Sequence, residues 1–125
     1  MGVGAVALSW WRWRPFRVAV EGRSMAPELA PGDYLVAVRP IRPRRGHLVV
    51  VEHPERPGFE MVKRLAGVPG DVVGGRRLGR DELWVIGDAA SASTDSRSFG
   101  PVGRGAIRGV VRLRYWPPER LRVFR

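Results

Sequence analysis

Short valine-rich runs, each bounded by Gly, Pro or Asp, are the feature that most constrains the fold of this chain. Runs of four to eight residues that are β-branched or that alternate apolar with polar residues, and that end at turn-forming residues, are typical of β-strands. Five such runs and a longer one of nine residues are present: Phe16–Val20, Tyr34–Val38, Leu48–Val51, Met61–Leu65, Leu83–Ile86 and, the longest, Ile107–Tyr115. The sequence therefore predicts a mostly β structure.

Turn signals refine this prediction. Val72-Val73 and Arg76-Arg77 flank Gly74-Gly75, a pattern that favours a tight hairpin. One helical turn is predicted, over residues 27–30, and Pro31-Gly32 ends it. At 125 residues the chain fits one domain. We expect a short N-terminal segment over residues 1–16, followed by a small antiparallel β barrel or folded sheet over residues 17–125.

The charge is strongly positive and almost all of it comes from arginine. The chain has 22 basic and 12 acidic residues, a formal net charge of +10, and Lys63 is its one lysine. The arginines are spread from Arg12 to Arg125, which favours the base composition of a GC-rich genome as the cause of the arginine excess. The alternative is a surface that binds nucleic acid, because positive charge attracts phosphate. In the last run, alternation places Arg112 and Arg114 on the outer face of a strand, where they would contribute to such a surface.

The N-terminal segment is apolar and rich in tryptophan. Its uncharged stretch, residues 1–11, is about half of the roughly 20 residues that a membrane-spanning helix needs, and it lacks the features of a secretory signal. Trp10, Trp11 and Trp13 alternate with arginine, so the segment either rests at a membrane interface or packs on the domain. The expected location is the cytoplasm, or the periphery of the cytoplasmic membrane.

Three local features point to chemistry. Ser24 lies in Gly22-Arg23-Ser24-Met25-Ala26-Pro27, directly after a predicted strand. A serine at such a turn can expose its hydroxyl next to backbone N–H groups, the geometry that an oxyanion hole requires. Taken alone, the fragment favours an ordinary serine cap before Pro27.

The second feature is Lys63. In a strand, Lys63 shares a face with Met61 and Leu65. If that face is buried, desolvation lowers the pKa of the ammonium group, and a neutral amine near a serine can take its proton. The alternative is a lysine that extends to solvent along the apolar surface.

The third feature is the segment Gly87–Gly100, which holds four of the six serines. Its density of small polar residues favours a solvated loop, whereas the spacing of Asp95 and Arg97 favours a loop held by an ion pair. No metal or cofactor is expected. The chain has no cysteine, and His47 and His53 have no partner at a spacing typical of metal ligands.

Together these features resemble the signal peptidase I family of Ser-Lys serine proteases. GRSMAPELAPGDYLVA resembles the serine box of that family, VKRLAGVPGD its lysine box, and GDAASASTDSRSFGPV its C-terminal box. The resemblance covers about residues 17–116. It implies a barrel or folded sheet like that of signal peptidases and the LexA repressor. The short length and the ending VVRLRYWPP resemble most closely the maturation proteases of nickel-type superoxide dismutase.

The resemblance implies a role for each matching residue. Ser24 would be the nucleophile and Lys63 the general base, and Ser93 would orient the lysine amine. The other positions are Asp95 and Arg97 as an ion pair, Asp88 as the acidic residue that opens the last box, and Gly22, Met25 and Pro27 around the oxyanion-binding turn. The partner implied is a precursor protein, bound as an extended peptide beside strands.

Some residues depart from the family pattern. Gly22 lacks the hydroxyl that some members use to bind the oxyanion, and Glu28 and Ala89 replace a usual Thr and Asn. Only 16 positions separate Asp71 from Gly87 (87 − 71), too few for the second β domain of larger members. The expected activity is removal of an N-terminal leader from a soluble precursor, as in nickel superoxide dismutase maturation.

Three alternatives remain at this stage. The first is general signal-peptidase processing at the membrane. The second is a non-catalytic basic β module that binds nucleic acid, using arginines together with aromatic side chains. The third is a self-cleaving Ser-Lys repressor domain, against which no DNA-binding helix pair is predicted before residue 17.

Overall fold

The computed structural model describes residues 14–39 and 42–125. The tryptophan-rich stretch, on which the membrane-interface hypothesis rests, lies outside these residues. Strand β1 begins at Arg14, so the last residues of the predicted N-terminal segment already belong to the sheet.

The described residues form ten β-strands. They are β1 (Arg14–Ala19), β2 (Tyr34–Arg39), β3 (Leu48–Glu52), β4 (Glu60–Gly67), β5 (Val72–Val73), β6 (Arg76–Arg77), β7 (Glu82–Ile86), β8 (Val102–Gly103), β9 (Ile107–Trp116) and β10 (Arg122–Val123). All six strands predicted from valine-rich runs are confirmed, with ends that differ by two residues or fewer. The hairpin β5–β6 is confirmed as well, and both turn glycines have positive φ, 59° at Gly74 and 80° at Gly75.

The main sheet is antiparallel throughout and curls into a half-barrel. Its strand order is β1-β2-β9-β3-β4-β7-β8, and β10 adds to β9. The predicted class, a small mostly β barrel or folded sheet, is confirmed. Strand β9 lies between β2 and β3, so the C-terminal part of the chain joins the N-terminal hairpin to the hairpin β3–β4.

The core lies on both faces of strand β3. Leu48 and Val50 belong to a cluster with the β1–β2 region, and Val49 and Val51 belong to a second cluster with β7 and β8. A continuous run of apolar residues is what a strand buried on both faces requires. This strand holds the adjacent β4, and with it Lys63, against an apolar layer.

Several sequence predictions were incomplete or wrong. The helical turn predicted over residues 27–30 does not extend into a helix. The chain makes a single α-turn that begins two residues earlier, in which Leu29 N–H donates to the Met25 carbonyl at 2.9 Å. The serine-rich segment is not loop throughout: it contains a short helix, α1 (Ser96–Phe99), in which the backbone N–H of Arg97 donates to the Asp95 carboxylate at 3.0 Å. Three 3₁₀ turns and the two-residue strands β8 and β10 were not predicted.

The prediction that Arg114 faces solvent was wrong. Only 6% of this residue is exposed. Its guanidinium donates to the backbone carbonyls of Glu28 at 2.7 Å and Arg120 at 2.6 Å, and lies 3.6 Å from the Asp33 carboxylate. Arg114 therefore ties β9 to the β1–β2 connection and cannot present its charge to a nucleic acid.

We find no helix in residues 14–39 and 42–125 that is long and apolar enough to span a membrane.

Candidate active site

Ser24 lies in the connection that follows β1. The turn is closed by a hydrogen bond from Ala26 N–H to the Arg23 carbonyl at 3.1 Å, and Met25, only 2% exposed, anchors it in the core. The Ser24 carbonyl accepts a hydrogen bond from Ala89 N–H at 2.8 Å. The Ser24 backbone is thus attached both to the core and to the segment that follows β7.

Lys63 lies near the middle of β4, opposite Val49 on β3. It shares its face with Leu65, as predicted, and is only 3% exposed. Burial costs a charged ammonium more than a neutral amine, so it lowers the pKa of Lys63. The Asp95 carboxylate raises that pKa and the Arg97 guanidinium lowers it, and burial dominates.

The Lys63 amine has one side-chain partner of defined geometry. Its Nζ donates to Ser93 Oγ at 3.0 Å, and Ser93 Oγ donates to Asp95 Oδ2 at 2.7 Å. Because the Ser93 hydroxyl gives its proton to the carboxylate, it can only accept from the lysine. A neutral amine that donates one N–H here keeps its lone pair for another proton.

Asp95 organises the rest of this segment. The Arg97 guanidinium donates to both of its oxygens, from Nε at 3.0 Å and Nη2 at 2.5 Å, and the backbone N–H of Gly87 donates at 2.8 Å. Burial alone would raise the pKa of the Asp95 carboxyl, but these hydrogen bonds and that from Ser93 together hold it well below its usual range. The carboxylate therefore stays ionised at neutral pH.

Gly87 fits between the two halves of the site. A Cβ added to Gly87 would overlap the Ser93 side chain and lie 2.7 Å from the Ser24 carbonyl oxygen. Contacts this short do not occur for real Cβ atoms, so only glycine allows the β7 end to approach both serines. The sequence signal for this role is the glycine that begins the serine-rich segment.

Ser24 and Lys63 line the same cleft. Its volume is about 300 Å³, and its apolar floor includes Val18, Val50 and Val62. Within the described sheet, β1 pairs only with β2, and the first half of β4 pairs only with β3. The cleft is therefore bordered by two strand edges whose outer backbone groups are available to an extended peptide.

The remaining predicted residues occupy different places. Gly22 lines the cleft and has a φ of 76°, a conformation that favours glycine. Met25 is buried and borders the cleft, whereas Pro27 is exposed and does not border it. Asp88 accepts two hydrogen bonds from Arg64, at 2.9 and 2.8 Å, and so joins β4 to the segment after β7 outside the cleft.

Sequence reasoning missed the hairpin loop between β3 and β4, which forms one wall of the cleft. His53, Arg56 and Phe59 border the cleft there. The Arg56 guanidinium lies over the Phe59 ring, 4.1 Å from its centroid. The sequence showed only a proline-rich loop, and nothing in that pattern places it beside Ser24.

The arrangement suits acyl transfer. Ser24 and the buried Lys63 border one cleft. The Lys63 amine donates to the Ser93 hydroxyl, which the Asp95 carboxylate holds in place. Such an amine can act as general base toward a neighbouring serine. In the part of the chain that the structure describes, no group of three or more His, Asp or Glu is placed to hold a metal ion.

Comparison with known proteins agrees with this chemistry. The family described as "Signal peptidase, peptidase S26" matches residues 3–77 and 72–116. The chain is 36% identical over 119 residues to mitochondrial inner membrane protease subunit 2 of Mus musculus, covering 81% of this chain and 67% of that protein. It is also 36% identical over 119 residues to mitochondrial ATP-independent inner membrane protease subunit 1b of Arabidopsis thaliana. That match covers 82% of this chain and 70% of the Arabidopsis protein.

A third relative is mitochondrial inner membrane protease subunit 1 of Xenopus tropicalis, 33% identical over 116 residues, with 82% of this chain and 70% of that protein covered. Because the family match extends over most of the chain and these identities exceed 30%, the chain belongs to the signal peptidase family, peptidase S26, and is a serine-type peptidase.

Proposed function

We propose that this peptidase removes an N-terminal extension from a precursor protein, with Ser24 as nucleophile and Lys63 as general base. The observation that carries the proposal is the buried Lys63 amine, which donates to Ser93 and lines the same cleft as Ser24. Burial favours the neutral amine, the only form that can accept a proton.

These positions support the following reaction. Neutral Lys63 takes the proton of Ser24 as Oγ attacks the scissile carbonyl, and the backbone N–H of Ser24 contributes to binding of the oxyanion. The lysine then gives its proton to the leaving amine, and an acyl-enzyme remains. The same amine deprotonates the water that hydrolyses the ester. General-base assistance contributes about 10²–10⁴-fold, and one oxyanion donor about 10²–10³-fold.

Substrate binding uses the two strand edges. An extended peptide placed between β1 and the first half of β4 would pair its backbone with both strands, in β-augmentation. The 300 Å³ cleft between them is partly apolar, which suits small apolar side chains near the scissile bond.

The identity of the precursor forms a second part of the proposal. The relatives are named as inner membrane proteases, which supports a substrate that is processed at or near a membrane. Nickel superoxide dismutase precursor is the soluble candidate, supported by the short Asp71–Gly87 span and the VVRLRYWPP ending in the sequence. A nucleic-acid-binding module has less support, because Arg114 is buried in an internal network.

The test is co-expression with candidate precursors, followed by mass determination of their N-termini. The wild-type chain should shorten one precursor at a single position, and Ser24→Ala should leave that precursor intact while remaining folded by circular dichroism. Ser98→Ala is a matched control, because Ser98 is exposed on α1 away from the cleft. Normal processing by Ser24→Ala would exclude Ser24 as the nucleophile.

A further inference from the structure

A second cavity, separate from the active-site cleft, is bordered mainly by arginine. Its volume is about 590 Å³, and it shares no bordering residue with the active-site cleft. We call it the arginine cleft after the five arginines that border it, Arg42, Arg44, Arg45, Arg80 and Arg104. They come from three separate connections of the fold, so the cluster is a product of tertiary structure and not of one charged run.

Most of this charge is not neutralised internally. Arg45 makes two hydrogen bonds to Asp71, at 2.9 and 3.1 Å, and Arg104 lies 4.0 Å from Asp81. For the other three arginines, no carboxylate within residues 14–39 and 42–125 lies within ion-pair distance. Residues 1–13, 40 and 41 contain no Asp or Glu that could supply one. The cleft thus has three more positive than negative charges (5 − 2).

Like charges that border one cavity repel one another, and an anion that enters the cavity relieves that repulsion. Guanidinium groups match the two free oxygens of a phosphodiester in paired hydrogen bonds, and several guanidinium groups can share one phosphate. The chemistry of the cleft therefore suits phosphate.

We propose that the arginine cleft binds the phosphate headgroup of an anionic phospholipid. Pro43, Val68 and Pro69 border the cavity beside the arginines, so the cavity also offers apolar surface to the glycerol and first methylene groups of a lipid. Among the described residues that border it, none is aromatic. Sequence-tolerant binding of single-stranded nucleic acid depends on aromatic stacking, which this cavity does not provide.

The test is co-sedimentation of the full chain with phosphatidylcholine vesicles, with and without about one-third phosphatidylglycerol. The variant is Arg44→Gln/Arg80→Gln. The control is Arg17→Gln/Arg125→Gln, which makes the same change in net charge at exposed positions that do not border the cleft. An arginine near an anionic membrane contributes about a five-fold change in binding, so the cleft variant should bind about 30-fold more weakly. The control should change by less than about three-fold.

Four other outcomes would overturn the proposal. They are equal weakening of both variants, binding that does not need phosphatidylglycerol, saturation of the cleft by inorganic phosphate without vesicle binding, and binding of a generic oligonucleotide in place of vesicles. Cleavage of a soluble precursor should be unchanged in the cleft variant, because Arg44 and Arg80 lie outside the active-site cleft. This readout separates failure of the lipid site from failure of the proposed peptidase mechanism.

Discussion

Lys63 and Ser93, 30 positions apart, meet in a single hydrogen bond in which the amine Nζ lies 3.0 Å from the hydroxyl Oγ. The hydroxyl is itself fixed by the Asp95 carboxylate at 2.7 Å. This chain of contacts gives the buried amine one orientation. Without this contact the long, flexible lysine side chain would place its amine in several positions. A displacement of a catalytic group by about 1 Å can lower the rate roughly 100-fold.

Ser93→Ala should lower kcat by about 10–100-fold and leave KM within about three-fold, because the amine loses its positioning partner while the substrate edges remain. Ser93→Thr, which retains a hydroxyl, should recover most of the activity. Ser91→Ala is the control, since Ser91 is exposed on the adjacent 3₁₀ turn. Steady-state cleavage of a precursor peptide measures all three. A rise in KM with unchanged kcat would show that Ser93 binds substrate instead of positioning Lys63.

Arg97→Gln should move the pH dependence of cleavage to higher pH. Activity rises with pH because only neutral Lys63 is a base, and burial places its pKa below that of an exposed lysine. The Arg97 charge lowers that pKa and the Asp95 charge raises it. Removal of Arg97 alone therefore raises the pKa of Lys63, and the ascending limb of kcat/KM against pH moves to higher pH.

Arg77→Gln, a change of the same charge at an exposed position away from the cleft, should leave the ascending limb in place. A limb that shifts equally in both variants would assign the effect to overall charge. A limb that moves to lower pH in Arg97→Gln would contradict the assignment of Lys63 as the titrating base.

Gly87→Ala should inactivate the enzyme. The added methyl group would overlap the Ser93 side chain and approach the Ser24 carbonyl oxygen to 2.7 Å, so both serines must move. Overpacking of this kind typically destabilises by about 1–3 kcal/mol, and the displaced serines should cost more than about 100-fold in kcat/KM. Gly105→Ala is the control, because its added Cβ has no neighbour within 4 Å. Urea unfolding and peptide cleavage measure the two effects, and an active Gly87→Ala would contradict the observed packing.

The sequence was sufficient to predict the sheet, because apolar alternation determines which strands can be half-buried and β3 is buried on both faces. It was also sufficient to bring Ser24 and Lys63 forward as candidates. It could not predict the roles of Gly87 or of the His53–Phe59 loop, since both depend on contacts between segments far apart in the chain.

Arg114 shows a different limit. Alternation in β9 placed Arg114 on the outer face, but its pairing with β2 shifts register twice, and the connection that contains Glu28 covers it. Two-residue strands such as β8 carry too few residues for any periodicity to be detected.

Arg114→Met should destabilise the fold by about 3 kcal/mol. The substitution leaves the Arg120 carbonyl without its donor and leaves the Glu28 carbonyl with only the longer hydrogen bond from Arg120 Nη2, at 3.4 Å. A buried carbonyl that loses its partner costs about 1–3 kcal/mol, and the buried Asp33 carboxylate also loses the nearby Arg114 charge. Arg112→Met, on the same strand but partly exposed, should cost less than about 0.5 kcal/mol. Urea unfolding of both variants gives the comparison. Equal stabilities would show that the Arg114 network contributes no net stability.

Lys63→Met should abolish cleavage and yet stabilise the folded chain at neutral pH. In the native state burial lowers the pKa of Lys63, whereas in the unfolded chain it returns to about 10.4. Between these two values the unfolded chain binds more protons, so the free energy of unfolding of the wild type rises with pH in that window. Below the lowered pKa, the full cost of protonating a buried amine remains. Methionine has a similar length and no charge, so the free energy of unfolding of the variant should lack the part of the pH dependence that comes from Lys63.

The measurement is urea unfolding of wild type and Lys63→Met from pH 6 to 10, with the difference in free energy plotted against pH. The difference should favour the variant most at the acidic end and shrink as pH rises through the native pKa of Lys63. Lys63→Arg completes the series: it keeps the charge at every pH, so it should be inactive and less stable than Lys63→Met throughout. A difference that stays constant with pH would mean that the folded state leaves the pKa of Lys63 unchanged, and the case for a neutral lysine base would fail with it.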